Sequence, residues 1–477
     1  MSKKSLQYIL TLIPRVCVQI HKKALIIFSL TFYLLTFVSC LNFYNKDIGN
    51  NNNNNYKDIF NFTSTNDFYM AIISDPQLYW TCENKICTDN AKSTDITVQG
   101  NLSNTWQVQS LNKAIKEYAD RFYGVIINGD LAEHGHYHEF NAFSSFYESQ
   151  LNKAIFPGLG NHDYYNNISD CYENNCAIRM IKYMSNKIKN LPTTNIDLTV
   201  SNVYYQFPSN RRDYKGSLSY SWDVGNVHFV QLNLYPYYKT SFNGWNASEA
   251  LREYVEITSS LNWLTDDLDK AKSLNKSIIL NMHISPHKDT YTLSRIIQNN
   301  APNIKAIFVG HQHENMGLAY DCSYSLESEI PTKNNDLHLP SLVLNNGHLY
   351  EAIEDNNYNI QITDLNISET DLASTILNLK KSDFSMTYYP IDPMSTDGDL
   401  DVNNKKFNND QCKFLLSKGA KIPKAINLQG IPIYFSGSSS NNSYLLVHFK
   451  DGDIENIKLV RSFYGLFEQY EDLPLTI

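Results

Sequence analysis

Residues 68–77 read FYMAIISDPQ, an apolar β-type run that ends in four polar residues. The same pattern of an apolar run before a polar motif occurs four more times along the chain. Because the carboxyl ends of neighbouring strands meet at one edge of a sheet, the repetition predicts an α/β fold with a polar site at that edge. The later runs are residues 123–127, 154–159, 277–280 and 304–309, and the motifs that follow them are Asn128-Gly129-Asp130, Gly160-Asn161-His162-Asp163, Asn281-Met282-His283 and Gly310-His311-Gln312-His313.

The residue types in these motifs indicate a site for two divalent metal ions. Two such ions at about 3.5–4 Å repel each other, so a carboxylate must bridge them while neutral imidazoles and amides complete the shells. Asp130, at the end of its strand, is the natural bridge. A water held between the ions would lose a proton near neutral pH and attack a phosphate ester.

With these motifs the chain resembles the calcineurin-like metallophosphoesterases, over residues 68 to about 320 and again near 430. The resemblance implies a four-layer α/β/β/α sandwich with an insertion before the closing strands, and a metal-dependent phosphoric ester hydrolase. It implies that Asp75, Gln77, Asp130 and His313 hold the first metal, and that Asp130, Asn161, His283 and His311 hold the second. His162 would act at the phosphoryl group, with Asp163 holding its imidazole in place.

One departure from the family pattern concerns the first motif, which usually has histidine where this chain has Gln77. An amide oxygen is a harder and weaker ligand than imidazole, so manganese, magnesium or calcium is favoured over tightly held iron at the first position. The identity of the two ions stays open among Mn, Mg, Ca, Zn and Fe. The glutamine also leaves an alternative, a catalytically weak or inactive surface binding protein that uses the scaffold and its insertion for recognition.

Each motif also has a purely structural reading. Taken alone, Gly160 to Asp163 could be a turn, and Asp75-Pro76 could be a strand-to-turn junction. Histidines outside the motifs are ambiguous too. His136 is expected to shape the rim of the pocket, with substrate contact as the alternative, whereas His228 is expected to be structural or merely exposed.

The first 40 residues form a predicted signal peptide. Five basic residues precede or border a mostly apolar run over residues 24–38, which is short for a membrane span. Phe37-Val38-Ser39-Cys40 resembles a lipobox, whose cysteine is lipidated after cleavage, and an uncleaved signal anchor or a simple secretory signal are the alternatives. Residues 41–66 are an asparagine-rich tether. The predicted location is extracytoplasmic, as a membrane-anchored lipoprotein or a secreted protein.

The cysteines beyond the leader are even in number, which supports export. The simplest pairing predicts three disulfides, with a thiolate metal site as the competing interpretation. The predicted pairs are Cys82 with Cys87, Cys171 with Cys176, and Cys322 with Cys412.

The charge of the chain bears on its partners. Its net charge is −9, and without the five basic leader residues it is −14. This balance argues against nucleic acid, whose binding depends on lysine and arginine, and favours a small-molecule or lipid-borne phosphate ester. The one basic stretch, residues 210–215, is either a phosphate-facing loop or a solvated turn. Oligomeric state cannot be read from the sequence.

The remaining patterns set domain limits. Residues 67–321 and 430–465 are expected to form the phosphoesterase domain, and residues 322–429 an insertion beside the active-site cleft. Periodicity predicts helices over Thr105–Arg121 and over Leu251–Leu274, with a possible interruption at residues 258–260 in the second. Gly225-Asn226 predicts a β-hairpin between residues 217–224 and 227–234. The resemblance implies closing strands of the second sheet at residues 431–437, 444–449 and 454–460.

Overall fold

The structure is a computed structural model. It describes residues 64–78, 93–206, 209–246, 250–286, 291–313, 315–321, 323–327, 341–345, 348–354, 360–368, 405–406, 409–421, 423–439, 441–463 and 467–475. The predicted leader, most of the tether, and the predicted Cys82–Cys87 pair lie outside these residues, as does Cys322. Within the described ranges, no helix has the length and apolar character needed to cross a bilayer.

The described residues form strands β1 to β26 and helices α1 to α6, with short 3₁₀ and π turns between them. The strands are β1 Asp67–Ile73, β2 Phe122–Ile127, β3 Ala154–Pro157, β4 Thr193–Ile196, β5 Thr199–Val200, β6 Tyr204–Gln206, β7 Ser209–Lys215, β8 Tyr220–Val224, β9 Val227–Gln231, β10 Thr240–Asn246, β11 Leu251–Ile257, β12 Ser277–Met282, β13 Ile304–Val309, β14 Met316–Leu318, β15 Tyr320–Asp321, β16 Ser323–Glu327, β17 Ser341–Asn345, β18 His348–Glu354, β19 Ile360–Ser368, β20 Lys405–Lys406, β21 Lys424–Ala425, β22 Asn427–Leu428, β23 Ile431–Ser436, β24 Ser443–Lys450, β25 Asp453–Phe463 and β26 Phe467–Leu473. The helices are α1 Ser93–Tyr118, α2 Tyr137–Phe143, α3 Asn175–Asn190, α4 Leu261–Ser273, α5 Tyr291–Asn300 and α6 Asn409–Ser417.

Two mixed sheets carry the strands that precede the sequence motifs. Sheet I has the order β26-β25-β24-β1-β2-β3, in which β1, β2 and β3 are parallel and β24 is antiparallel to β1. Sheet II has the order β14-β23-β13-β12-β9-β8-β4, in which β9, β12, β13 and β23 are parallel. Each sheet therefore directs three or more parallel strand ends toward a common edge, where polar side chains can meet.

The inner faces of the two sheets pack against each other through aromatic side chains. Phe68 of sheet I lies 6.3 Å from Phe229 of sheet II between ring centroids, and Phe156 stacks on Trp222 at 4.4 Å. The Tyr220 hydroxyl donates a hydrogen bond to the Pro157 carbonyl, which joins the sheets near the strand ends. Burial of such large rings provides most of the attraction between the layers.

Helices cover the outer faces, so the four-layer α/β/β/α arrangement is confirmed. Gln107 of α1 donates to the Ser443 carbonyl of sheet I at 3.2 Å. On the other side, Leu264 and Leu268 of α4 join one buried apolar cluster with Ile278 and Leu280 of β12. Helix and sheet thereby bury their apolar faces together.

The three predicted closing strands are present, but only β23 belongs to the second sheet, as was expected of all three. β23 lies beside β13 in sheet II, and β24 and β25 complete sheet I, although they follow the insertion in the sequence. Sheet I continues to β26, which ends at Leu473 and thus beyond the predicted limit of residue 465. Between β15 and β21, the described residues of the insertion form a separate sheet with the order β19-β18-β17-β16-β20. The domain limits and the position of the insertion beside the cleft stay predictions.

Three secondary-structure predictions need correction, while the hairpin at Gly225-Asn226 is confirmed as β8 and β9. Helix α1 starts at Ser93, twelve residues before the predicted start, and ends at Tyr118. The first part of Leu251–Leu274 is strand β11, because its alternate residues are buried between β10 and β7, and only α4 is helical. Residues 210–215 are neither loop nor turn but lie within β7, where Arg211 pairs with Asp213 at 2.5 Å.

Candidate metal centre

The loops at the strand ends of both sheets bring the predicted ligands into one site. Sheet I contributes Asp75 and Gln77 after β1, Asp130 after β2, and Asn161 after β3. Sheet II contributes His283 directly after β12, and His311 and His313 after β13. The site therefore lies at the seam between the two sheets, and each sheet supplies part of the donor set.

The backbone is locally strained at several of these positions. Asp75, Gln77, Asp130 and His311 have φ values of 52°, 34°, 52° and 71°, in the left-handed region that residues other than glycine seldom adopt. Such conformations persist where the surroundings enforce them, and they cluster at functional sites. Close packing is one enforcing factor, because a Cβ on Gly129 would lie 2.6 Å from His283 Nδ1.

Asp130 belongs to two groups of potential metal ligands. In one group the ligand atoms of Asp75, Asp130 and His313 all lie within 4.8 Å of one another, and in the other those of Asp130, His283 and His311 do. The shared carboxylate is fully buried, and its Oδ2 lies 3.0 Å from His283 Nε2. In the first group, His313 Nε2 lies 3.1 Å from Asp75 Oδ1. This is the arrangement that a bridging carboxylate between two cations requires.

Buried oxygen atoms in this site fit bound cations. Among the residues that the structure describes, Gln77 Oε1 is buried without a hydrogen-bond donor, and the buried oxygens Asp75 Oδ1 and Asp130 Oδ2 face the imidazole nitrogens of His313 and His283 at 3.1 and 3.0 Å. Leaving a buried oxygen unpaired costs free energy, whereas a cation would compensate it. Asn161 Oδ1 lies 2.9 Å from His283 Nε2, so this amide also faces the second group. Oxygen donors mixed with imidazoles suit divalent ions such as manganese, zinc or iron.

The electrostatics of the site also favour cation binding. Burial opposes ionisation of Asp130, yet His283 and His162 outweigh it and hold the pKa of Asp130 well below the ordinary carboxyl range. Burial, together with the nearby His283, lowers the pKa of His311 to about 4, so this imidazole keeps a free lone pair at neutral pH. Burial favours neutral His283, but Asp130 and Asp75 raise its pKa to about 9, so it must release a proton when it binds a metal.

Comparison with known proteins identifies the family. Residues 68–315 match the family described as calcineurin-like phosphoesterase, which is more than half of the chain. The chain belongs to this family. Among solved structures, the chain is similar to purple acid phosphatase PPD1 from yellow lupin (Lupinus luteus) seeds, with 10% sequence identity and a TM-score of 0.31. That match covers 61% of this chain and 50% of the lupin chain, so it spans half the length of the solved relative. Comparison with curated proteins gives no match.

The hydrogen bonds of Asp163 differ from the role expected for this residue. Its buried carboxylate accepts hydrogen bonds from the backbone amides of Leu131, Ala132 and Gly160 at 2.8–3.3 Å. The imidazole of His162 is held elsewhere, because its Nδ1 lies 2.8 Å from the carbonyl oxygen of Glu133. Asp163 therefore joins the loops after β2 and β3, and it does not orient the imidazole.

Glu133 is a residue of the site that the sequence motifs did not reveal. Its side chain is 12% exposed, and its Oε1 lies 3.4 Å from His134 Nε2 and 3.8 Å from His162 Nδ1. Burial, with the charges of Asp130 and Glu139 nearby, raises the pKa of the Glu133 carboxyl to about 8. The sequence signal that could have identified it is its position three residues after Asp130, in the loop that leaves β2.

A serine-rich segment at the end of β23 donates hydrogen bonds to β13 and to the loops that carry proposed ligands. We call Ser436, Ser438 and Ser439 the serine clasp. Their hydroxyls donate to the carbonyls of Val309 at 2.8 Å, His313 at 3.1 Å and, for Ser439, Asp75 at 2.9 Å. The clasp therefore touches loops of both sheets, although it comes from the part of the chain that follows the insertion.

Two histidines outside the motifs each contact carboxylates through both ring nitrogens. The ring of His136 lies between Glu139, at 3.0 Å from Nδ1, and Asp170, at 2.8 Å from Nε2. These contacts fix the loop after β2 and support the structural interpretation of His136 over substrate contact. His228 is buried, with Asp223 at 2.7 Å and Asp267 at 3.0 Å from its two ring nitrogens. Burial lowers the pKa of His228, but the two carboxylates outweigh it and raise that pKa above its ordinary value.

The described cysteines agree with the predicted disulfides as far as they can be followed. Cys171 and Cys176 form a disulfide beside the loop that holds Asp170. Cys412 is also disulfide-bonded, and its predicted partner Cys322 lies outside the described residues. The thiolate metal site is therefore excluded for Cys171 and Cys176.

Proposed function

We propose that the chain is an exported, dinuclear metal-dependent phosphoesterase that hydrolyses phosphate mono- or diesters. The observation that carries the proposal is the buried Asp130 carboxylate, which lies between two groups of ligand atoms at the seam of the sheets. The first ion would be held by Asp75, Gln77, Asp130 and His313, and the second by Asp130, Asn161, His283 and His311. When bound, the ions would supply a nucleophilic water at neutral pH and neutralise charge on the phosphoryl oxygens.

His162 is the residue proposed to act at the phosphoryl group. Its backbone N–H donates to Asp130 Oδ1 at 2.8 Å, which fixes the shared carboxylate. The contact of Nδ1 with the Glu133 carbonyl places a hydrogen on Nδ1, so Nε2 is the nitrogen through which the imidazole would meet a phosphoryl oxygen or the leaving group. The side chain is 16% exposed, as a group that touches substrate must be accessible.

Export and substrate class belong to the same proposal. A disulfide at Cys171–Cys176 and a second one at Cys412 are typical of oxidising compartments, in agreement with the signal-like leader. The substrate would be a small-molecule or lipid-borne phosphate ester, and the leader would place the protein at a membrane through a lipid or signal anchor or release it.

A comparison of two site variants tests the proposal. Asp130→Ala should lose both ions and abolish hydrolysis, because it removes the only proposed bridge. His162→Ala should keep its metal content and lose turnover by about 10²–10⁴-fold, the range for a general acid. Metal content would be measured by elemental analysis, and turnover with a panel of aryl phosphate mono- and diesters.

The control for both variants is Asp453→Ala, which removes a carboxylate that is 60% exposed in the hairpin between β24 and β25. It should match the parent in metal content and turnover. Parent-rate hydrolysis by purified Asp130→Ala would refute the metal assignment. A parent protein that binds metal but hydrolyses no ester in the panel would instead support the alternative of a binding protein on this scaffold.

A further inference from the structure

Five tyrosines cluster on one side of the proposed site. Tyr164 and Tyr238 are buried and lie 5.1 Å apart between ring centroids. Tyr165 packs edge-on against Tyr238 at 5.6 Å and is 41% exposed. Tyr235 and Tyr237 are partly exposed and lie 4.3 Å from each other. We call the three accessible rings, Tyr165, Tyr235 and Tyr237, the tyrosine wall.

The wall adjoins loops that carry two proposed metal ligands. Tyr165 ends the π turn that begins at Asn161. On the other side, the His283 N–H donates to the Asn233 carbonyl at 2.7 Å, so the chain after β9 continues alongside the loop after β12. Tyr235 lies four residues past the end of β9, whose carboxyl end is at the same edge of the sheet as that of the parallel strand β12. The rings therefore stand just outside the strand ends, where ligands bind in α/β folds.

The backbone that carries the wall is fixed before any ligand binds. The Pro236 carbonyl accepts hydrogen bonds from the Ser259 hydroxyl at 2.9 Å and the Ser260 N–H at 2.8 Å, at the start of α4. Asn233 Oδ1 accepts from the Leu159 N–H at 3.0 Å, which links this loop to the loop after β3. A rigid aromatic surface loses little conformational entropy when a flat ring stacks on it.

The chemistry of the wall selects a class of leaving group. Phenol rings offer flat π faces and uncharged hydroxyls, which suit a planar ring better than an anionic or purely aliphatic group. Stacking of this kind depends on the ring itself and tolerates changes in its substituents. We propose that the tyrosine wall binds the leaving group of the phosphate ester, and that this group carries a planar aromatic ring, either a nucleobase or an aryl group. The inference rests on the proposed phosphoesterase function and deepens it.

A matched pair of substrates tests the wall separately from the metal chemistry. Adenosine 5′-monophosphate and ribose 5-phosphate contain the same ester bond and a closely similar leaving alkoxide, and only the first carries a base. We expect the parent to favour the nucleotide in kcat/KM, chiefly through KM. Loss of one stacked ring, by Tyr235→Leu or Tyr165→Leu, should reduce that preference by about 5- to 150-fold.

Two controls distinguish stacking from general damage. Tyr235→Phe keeps the ring and should keep the preference. Tyr204→Leu removes a tyrosine of nearly the same exposure as Tyr165, 40% against 41%, on β6 away from the wall, and should leave the preference unchanged. Equal kcat/KM values of the parent for the two substrates, or an unchanged preference in both leucine variants, would overturn the inference.

A binding measurement without catalysis shows whether the preferred ring is a nucleobase or an aryl group. Adenosine and phenol would each be tested by equilibrium dialysis with the parent and Tyr235→Leu. Weaker binding of adenosine to the variant would indicate a nucleobase, and weaker binding of phenol an aryl group. Absence of binding by both would refute the wall. If no ester is hydrolysed but a ring still binds in this way, the proposed function fails while the wall stands.

Discussion

Replacement of Asp163 by asparagine tests whether this residue holds two loops together or orients His162. The carboxylate is fully buried and accepts hydrogen bonds from three backbone amides, those of Leu131, Ala132 and Gly160. Asparagine has nearly the same shape, but one of its two terminal atoms is an NH₂ group. In either orientation of the asparagine side chain, its NH₂ group faces a backbone N–H. One or two of the three buried backbone N–H groups therefore lose their acceptor.

The expected loss of stability follows from these contacts. An unsatisfied buried donor costs about 1–3 kcal/mol, so one or two of them should lower the free energy of unfolding by about 2–4 kcal/mol. The measurement is equilibrium unfolding in urea with metal ions in excess, for the parent and Asp163→Asn. Because the joined loops carry Asp130 and Asn161, the variant should also bind its metal ions more weakly.

The matched control is Asp170→Asn, a change at a carboxylate that is 38% exposed and contacts His136. Exposed ion pairs contribute about 0–1 kcal/mol, so this variant should unfold almost like the parent. If Asp163→Asn keeps the parent stability and metal content but shifts the pH dependence of turnover, the carboxylate acts through the imidazole of His162, and the loop-joining role is wrong.

Three further predictions concern the fold around the site. Burial lowers the pKa of His228, but its hydrogen bonds to Asp223 and Asp267 outweigh burial and raise that pKa above the unfolded value. Its stabilising contribution should therefore be complete below about pH 6.5 and decline as the pH rises through the folded pKa; urea unfolding of the parent and His228→Gln should differ more at low pH than at high pH. Gly310→Ala should reduce stability and turnover together, because the added Cβ would collide with the Ser74 hydroxyl, and a second change, Ser74→Gly, should restore part of both in a double-mutant cycle. Joint replacement of Cys171 and Cys176 by serine should lower the free energy of unfolding, measured in urea against the parent, by about 2 kcal/mol, since the bond closes a short loop.

The sequence predicted the sheet edges that carry the motifs, because strand geometry allows few other positions for a motif that follows a parallel strand. A polar motif at the carboxyl end of a parallel strand must lie at the same edge as the motifs of its neighbours, as Asp75 and Asp130 do. The closing strands were expected from the resemblance to the family, and the mostly apolar sequences of β23 and β24 agree with it.

Other features depend on partners that sequence reasoning could not see. Leu251 and Val255 fit helical spacing as well as alternation, and pairing with β7 and β10 decides for a strand. Asp163 follows His162 directly, which suggested that the two side chains interact, but the π turn directs the carboxylate to amides of another loop. The serine clasp has no periodic pattern in the sequence. Its role is visible only in the fold, where its hydroxyls contact carbonyls that are distant along the chain.

The serine clasp has a consequence for the order in which the molecule matures. Its hydroxyls brace the loops after β1 and β13, yet they are synthesised more than 350 residues after Asp75. Loop closure over such a separation is entropically costly and slow, so contacts of this kind form late in folding. A nascent chain of which only the first half has been synthesised therefore contains several proposed ligands but lacks the serine clasp that contacts their loops. Cation capture should coincide with the final assembly step, which couples acquisition of the ions to completion of the whole chain.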